Sequence, residues 1–376
     1  MLTILHVASG DLWGGAETML WYLAREQRQS CCVNAKVLLL NDGLLADRLR
    51  DVDVPVIVVP ENRCGSLRLM ALIKTAVREA VPDVVHTHGR KANVLGAIAA
   101  WAIRAPSMRT VHGSEEHPPQ WWNLRRIVAH WADLLIADSL QSRTVAVSAD
   151  LAKSLTAAGF RRVQVVLNGI DASWVLAQAS RIDGPGRTSG QVTIGFVGRL
   201  TPIKRVDRFL ALARELQQRM PNVFRFVVIG DGPQKGEAMK IVEELELKDD
   251  VTFKGTVENV LPALAELDAV VMTSDNEGIP YVVLECLVLG VPVLAFRVGG
   301  LPEALDHGLA GRLADAGDLE ALIGHTLAFG ESPSSFDRQV QTGARLVQER
   351  FSSREMMRDY LAIYQDIVTV DARGKV

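Results

Sequence analysis

The sequence predicts an α/β protein made of two Rossmann-like, doubly wound domains. Three observations lead there. Short β-branched runs alternate with longer helical periods, and they do so in two series. A length of 376 residues suffices for two separate hydrophobic cores. The stretch Asp183-Gly184-Pro185-Gly186-Arg187-Thr188-Ser189-Gly190 is the most turn-rich in the chain and lies between the two series.

The first series opens with a strand at Thr3–Ala8. Strands follow at Ala35–Leu40, Val54–Val59, Val84–Thr87, Arg109–Val111, Leu134–Ala137 and Val163–Val166. Helical periods between them include Ala16–Arg28 and Leu67–Ala80. The second series has strands at Val192–Val197, Phe224–Ile229, Val251–Lys254, Ala269–Met272 and Pro292–Ala295. Its helices are read at Arg205–Arg219, Lys235–Leu245, Val260–Leu267, Tyr281–Leu289 and Leu319–Ala328. Pro280 suits an early helical position, where the amide hydrogen it lacks would be unpaired anyway, so the helix is expected to open near Ile279. Gly290 stops it, and Val291-Pro292-Val293 starts the next strand. A long terminal helix, Ser353–Val368, is expected to cross back to the first domain. The predicted domains are therefore 1–172, joined by a helix at about 353–370, and 190–350. Ligands of open parallel sheets bind beyond the carboxyl ends of the strands. Two such domains facing each other would make a deep interdomain cleft.

Composition excludes several classes. Hydrophobic content of 48% with 23% charged residues is that of a globular protein. A net charge of −3 gives no case for nucleic acid as a partner. Cys31, Cys32, Cys64 and Cys286 have no metal-ligand spacing and suit a reduced, cytoplasmic setting. The N-terminus lacks a basic n-region, and the longest apolar runs, such as Ala92–Ile103, fall short of the roughly 20 residues of a spanning helix. Any membrane contact is then peripheral. Trp121 and Trp122 beside Arg125 and Arg126 would suit a lipid-linked ligand, but a helix packing its apolar face on the domain reads ahead of that.

Candidate chemistry falls on loops after strands. Asn276–Glu285 carries two carboxylates, Glu277 and Glu285, across a turn and into a helix start. Helix amides there attract phosphate, and carboxylates bind hydroxyls. A ligand with both groups satisfies the pair. Gly198-Arg199-Leu200-Thr201-Pro202-Ile203-Lys204 places two cations five residues apart after a strand, where they can neutralise oxygens that gain charge as a bond breaks. Gly14-Gly15-Ala16-Glu17 lets the backbone approach a bulky group. His112 ends a strand and can hydrogen-bond a hydroxyl, whereas His86 and His88 read as structural. Gly230-Asp231-Gly232 reads as a decoy, since Gly236 comes one position too late for a dinucleotide fingerprint. The segment from His112 to His117 matches neither zinc-helix spacing, and Pro118-Pro119 exclude a continuing helix.

Together these residues resemble the family 4 retaining glycosyltransferases of the GT-B fold. Glu277–Glu285 is similar to the family's E-x7-E motif, and Gly198–Lys204 to its G-R-L-x-x-x-K loop. Val298–Glu303, Gly14–Glu17, Val111–Gly113 and Asn168–Asp171 fit as well. The resemblance implies a sugar donor of the UDP- or GDP-sugar type and an acceptor that is a carbohydrate or lipid-linked saccharide. It implies work in cell-surface polysaccharide or glycolipid synthesis, without metal or cofactor. In that reading Glu285 holds the donor ribose. Glu277 and the amides of Gly278 and Ile279, followed by Pro280, hold the donor sugar and phosphate. Arg199 and Lys204, on the loop that Gly198 opens, neutralise the departing diphosphate. Gly15 lines the phosphate side from the first domain, and His112 touches the transferred sugar. No protein nucleophile is assigned. Arg205 and Cys286 depart from the residues common at those places in the family. The competing reading is a two-lobed sugar- or nucleotide-binding protein without transfer activity, which would have no need of cations facing a pair of acids.

Overall fold

The computed structural model describes residues 1–11, 13–63, 65–113, 124–179 and 190–374. Cys64, the segment from Ser114 through His117 to Trp121, Trp122 and Asn123, and the expected turn-rich linker at 183–189 lie outside the described residues. The chain divides into two units, Met1–Gly169 with Ser353–Val376, and Ile170–Ser352.

The first unit is a parallel sheet of β1 (Leu2–Ala8), β2 (Val33–Leu39), β3 (Val56–Val58), β4 (Val84–His88), β5 (Ser107–Val111), β6 (Arg143–Ala146) and β7 (Val163–Val165). Its order is β3-β2-β1-β4-β5-β6-β7. Helices cover parallel sheets on both faces, which is why such strands read as near-continuous apolar runs. Ile4, Leu5 and Val7 of β1 and Val84 and Val85 of β4 are fully buried. The polar exceptions, His6, His86, Thr87, His88, Arg109 and Thr110, are buried too. The Ser353–Gly374 helix packs on the Gly15–Gln29 helix and on β4. Ser353 Oγ ties its start to Glu26 with a 2.7 Å hydrogen bond.

The second unit is a parallel sheet of β8 (Val192–Val197), β9 (Phe224–Ile229), β10 (Val251–Gly255), β11 (Ala269–Met272), β12 (Val293–Phe296) and β13 (Arg312–Ala314). Its order is β10-β9-β8-β11-β12-β13, so the winding direction reverses between β8 and β11. The Val206–Arg219 helix buries Val206, Phe209, Leu210, Ala213 and Leu216, a stripe at helical spacing. These side chains meet Phe196, Phe224 and Phe226 in one core. Each fully buried Phe or Leu contributes roughly 1.5–3 kcal/mol of transfer free energy. The Ala172–Ala179 helix belongs here as well, packed on the helices at 260–265 and 281–289.

Two expectations need correction. Leu134–Ala137 is no strand. It lies inside the Leu124–Leu140 helix, and the strand is Arg143–Ala146. A run of four apolar residues does not distinguish helix from strand, and the true strand carries Arg143 and Thr144. The Tyr281–Leu289 helix has the bounds read for it, but it does not open near Ile279, and Pro280, expected at an early helical position, is its extended N-cap. Its Gly290 stop, at φ 71°, is the left-handed residue that glycine adopts without strain. Helices at Leu44–Arg50, Arg90–Ala102, Ala149–Ala157 and Asp337–Arg350 and the edge strand β13 went unread in the sequence.

Candidate functional site

In the second unit, four loops at the carboxyl ends of β8, β9, β11 and β12 are tied to one another around the switch point. The β8 loop runs from Gly198 through a short 3-10 turn at Pro202–Lys204. The β11 loop runs from Thr273 to Pro280. Thr273 Oγ1 donates to the carbonyls of Lys204 and Arg205, at 3.2 and 2.9 Å, and the Asp275 amide donates to the Ile203 carbonyl at 2.8 Å. These bonds seat the cationic loop on the acidic one.

The result is a direct ion pair. Lys204 Nζ donates to both Glu277 oxygens, at 2.6 and 2.7 Å, and Ser274 Oγ donates to Glu277 Oε1 at 2.7 Å. The Glu277 side chain is only 7% exposed and that of Lys204 25%. A carboxylate removed from water needs such partners, since an unpaired buried charge costs several kcal/mol.

Arg205 frames this pair. It holds a left-handed conformation, φ 55°, between the 3-10 turn and the Val206–Arg219 helix. Its guanidinium binds Asp207 at 2.7 Å and Asp275 at 3.3 Å, and Arg208 meets Asp275 at 2.5 Å. The hydrogen bonds that Arg205 donates to Asp207 push its pKa upward, so the group stays charged. The unusual residue after Lys204 thus anchors both loops.

Backbone approaches explain several glycines. Gly230, at φ 132°, lies so close to Gly198 that an added Cβ would stand 2.0 Å from the Gly198 carbonyl oxygen. Gly232 would likewise meet the Leu200 carbonyl at 2.5 Å. The segment that read as a decoy is therefore the support under the cationic loop. Gly299, at φ 54°, lies against Glu277 in the same way, and the Gly300 amide donates to the Glu277 carbonyl at 3.0 Å.

The other predicted residues of this unit stand as follows. Arg199 is exposed, Gly278 and Pro280 are partly exposed, and Ile279 is buried. Glu285 is buried in the second turn of the Tyr281–Leu289 helix. Burial, and then the charge of Glu285, push the neighbouring Cys286 thiol well up, leaving it an inert core group.

In the first unit, Gly15 is exposed at the start of its helix, with nothing within 4 Å of an added Cβ. His112 follows β5 and heads a buried polar network. His88 Nδ1 lies 3.3 Å from His112 Nε2, His6 Nδ1 lies 3.0 Å from His88 Nε2, and His6 Nε2 lies 2.8 Å from Gln27 Oε1. His86 bridges Tyr364 Oη at 2.8 Å and Thr110 Oγ1 at 2.7 Å, and Thr110 meets Tyr360 at 2.9 Å. Burial pulls His6 and His112 down to about 4, and His86 and His88 well below the usual imidazole range, so all four are neutral. Ring nitrogens of His6, His86 and His88 lie within 4.8 Å of one another, which is metal-ligand spacing. The donor set does not fit a metal: both nitrogens of His86 are committed to hydroxyls, and His6 and His88 to each other.

Sequence reasoning missed Ser274, Thr273, Gln27 and His6, and it separated His88 from His112. The available signal was the histidines themselves. Three imidazoles in otherwise apolar parallel strands require partners.

The family model described as "Glycosyl transferases group 1" matches residues 191–329, and the one described as "Glycosyltransferase Family 4" matches residues 13–174. N-acetyl-alpha-D-glucosaminyl L-malate synthase of Bacillus anthracis is 30% identical over 152 residues, and that alignment spans only 40% of either chain. The putative glycosyltransferase EpsF of Bacillus subtilis (strain 168) is 28% identical over 321 residues, 81% of each chain. Among solved structures, Anabaena HepE in complex with UDP and glucose superposes with a TM-score of 0.85 at 22% identity, covering 97% of this chain and 100% of that one. A point mutant of S. aureus TarM, crystallised with Fondaparinux, alpha-GlcNAc-glycerol and UDP, gives 0.79 at 12% identity, covering 97% and 100%. These two likenesses establish the shared GT-B fold.

Proposed function

The chain belongs to the family 4, group 1 glycosyltransferases, and from that premise we propose that it transfers a hexose, with retention, from a UDP- or GDP-sugar to a saccharide acceptor. The observation that carries the donor reading is the Lys204–Glu277–Ser274 cluster at the switch point of the second sheet. It joins a cation for diphosphate oxygens to a carboxylate for sugar hydroxyls. HepE binds UDP and UDP-glucose, which supports UDP ahead of GDP.

In this reading Arg199 and Lys204 stabilise the leaving diphosphate, and the 277–280 turn holds the sugar and phosphate. Glu285 takes the ribose, while Gly15 and His112 act from the acceptor-side unit. A bond forms from the anomeric carbon to the acceptor oxygen as the bond from that carbon to the phosphate oxygen breaks; the nucleoside diphosphate departs with the cleaved electron pair and takes up the acceptor hydroxyl's proton. Opening of the Lys204–Glu277 pair accompanies donor entry: Lys204 turns to phosphate and Glu277 to a hydroxyl. No metal is required, because these cations supply the charge a divalent ion would bring. Among the described residues no helix is long and apolar enough to cross a membrane. A cytoplasmic chain meeting a lipid-linked saccharide at the inner membrane face, in cell-surface polysaccharide or glycolipid synthesis, fits the reading.

The test is a panel of UDP- and GDP-sugars with free UDP, free GDP and free sugars. Thermal shift reads binding, and release of nucleoside diphosphate with a saccharide acceptor reads transfer. A UDP-dependent rise in the unfolding midpoint and transfer undiminished by EDTA are expected, with Glu277→Gln keeping the response to UDP and losing transfer. Binding of free sugar with no response to either nucleotide would overturn the proposal in favour of a sugar-binding protein.

A further inference from the structure

We propose that Gln27, His6 and His88 form a tautomer relay that keeps Nδ1 of His112 unprotonated, so that this nitrogen meets a ligand hydroxyl only as an acceptor. Gln27 and the two inner histidines are positioning residues, and only His112 touches the ligand.

A neutral imidazole carries one N–H and one lone pair. In a row of imidazoles joined nitrogen to nitrogen, each ring must donate in the same sense as its neighbour. The row here is Gln27, His6, His88 and His112, joined at 2.8, 3.0 and 3.3 Å. It has two settings, and its ends select between them. At the inner end Gln27 Oε1 faces His6 while Gln27 Nε2 donates to Tyr364 Oη at 3.3 Å. An oxygen at that place accepts, so His6 carries its proton on Nε2. His6 Nδ1 then accepts from His88 Nε2, and His88 Nδ1 accepts from His112 Nε2. At the outer end His112 is partly exposed, and its Nδ1, though covered, has no hydrogen-bond partner among the described residues. The opposite setting would leave an N–H there with no acceptor, the rarer kind of buried orphan. Both ends favour an unprotonated Nδ1.

The arrangement needs all three histidines neutral, and their burial keeps them so. It also needs Gln27 held, and Tyr364 of the Ser353–Gly374 helix holds it while sharing a second hydrogen bond with His86. A carboxylate in place of His112 would accept as well, but would bring charge. A neutral acceptor suits a hydroxyl beside a reacting anomeric carbon without altering the charge around a leaving diphosphate. That last step, identifying the hydroxyl as one on the transferred sugar, rests on the function proposed above.

The full chain, labelled with 15N-histidine, tests the relay directly. Long-range 1H–15N correlation spectra at pH 7.5, with His112 assigned through His112→Asn, report which nitrogen carries the proton. The expected result is a protonated Nε2 and an unprotonated Nδ1. Gln27→Leu is expected to give a mixture at His112 and about a tenfold fall in kcat/KM. A protonated Nδ1 in the unaltered chain overturns the relay, and so does an unchanged His112 spectrum in folded Gln27→Leu. Should Gln27→Leu not fold, the unaltered chain's spectrum decides alone. The expected tautomer in a chain that transfers no sugar would sustain the relay and overturn the proposed function. Transfer with a protonated Nδ1 would do the reverse.

Discussion

Removing one partner of the Lys204–Glu277 pair leaves the other without its countercharge. Lys204→Ala strands a carboxylate that is 7% exposed, while the lysine itself is a quarter exposed. The destabilisation is therefore expected at the low end for buried pairs, about 3 kcal/mol. Transfer is expected to fall by at least about 100-fold, because a preorganised charge at the leaving group is lost. The paired replacement Lys204→Met with Glu277→Leu should recover most of the stability and none of the activity. Denaturant unfolding of the two single variants and the double one measures this. Simple additivity of the two losses would contradict a direct pair. Ser274→Ala removes one hydrogen bond from Glu277 and is expected to cost about 1 kcal/mol.

At the scale of elements, glycines under the loops set the geometry that the side chains use. Gly230→Ala would drive a Cβ against the Gly198 carbonyl and force a left-handed backbone on alanine. About 1–3 kcal/mol of backbone strain is expected, with weaker nucleotide binding because the Gly198–Lys204 loop must shift. Gly236→Ala, in the Lys235–Glu244 helix with nothing within 4 Å, should instead stabilise by roughly 0.5–1 kcal/mol. Paired thermal melts with and without UDP separate the two effects. The same contrast explains what was legible in the sequence. β1, β8, β9 and β11 and the Tyr281–Leu289 helix declared themselves because apolar runs ended in glycine, proline or charge. Lys204 and Glu277 could be read as a pair of opposite charges on loops after strands. Gly230 and Gly232 could not, since only the adjacency of β8 and β9 shows what their missing side chains make room for. The histidine network was hidden for a related reason. Parallel register sets His6 of β1 opposite His86 of β4, 80 residues away, and alternation puts His88 on the same face. Leu134–Ala137 misled because four apolar residues carry no period.

For the whole molecule, the buried histidines make acid stability uneven between the units. His6, His86, His88 and His112 all belong to the first unit, and burial lowers each below its free value of about 6.5. The unfolded chain therefore binds more protons than the folded one below that value. Stability is fully present above about pH 6.5 and is lost progressively as pH falls toward about 4. A tenfold difference in proton affinity between the folded and unfolded chain corresponds to about 1.4 kcal/mol, so His6 alone contributes on the order of 3 kcal/mol to the loss. Calorimetry at pH 7.5 and pH 5 should show the first unit's transition moving down much further than the second's, and His6→Gln should shrink that difference. Equal movement of the two transitions would contradict neutral burial of the cluster. One further consequence comes from the chain's route. The first unit is discontinuous: Tyr360 and Tyr364, which cap its polar core, arrive only after Ile170–Ser352 has been passed. During ribosomal synthesis the later-made unit, an unbroken stretch, can complete itself first. The earlier-made sheet must wait, with its imidazoles open to water, until the last helix emerges.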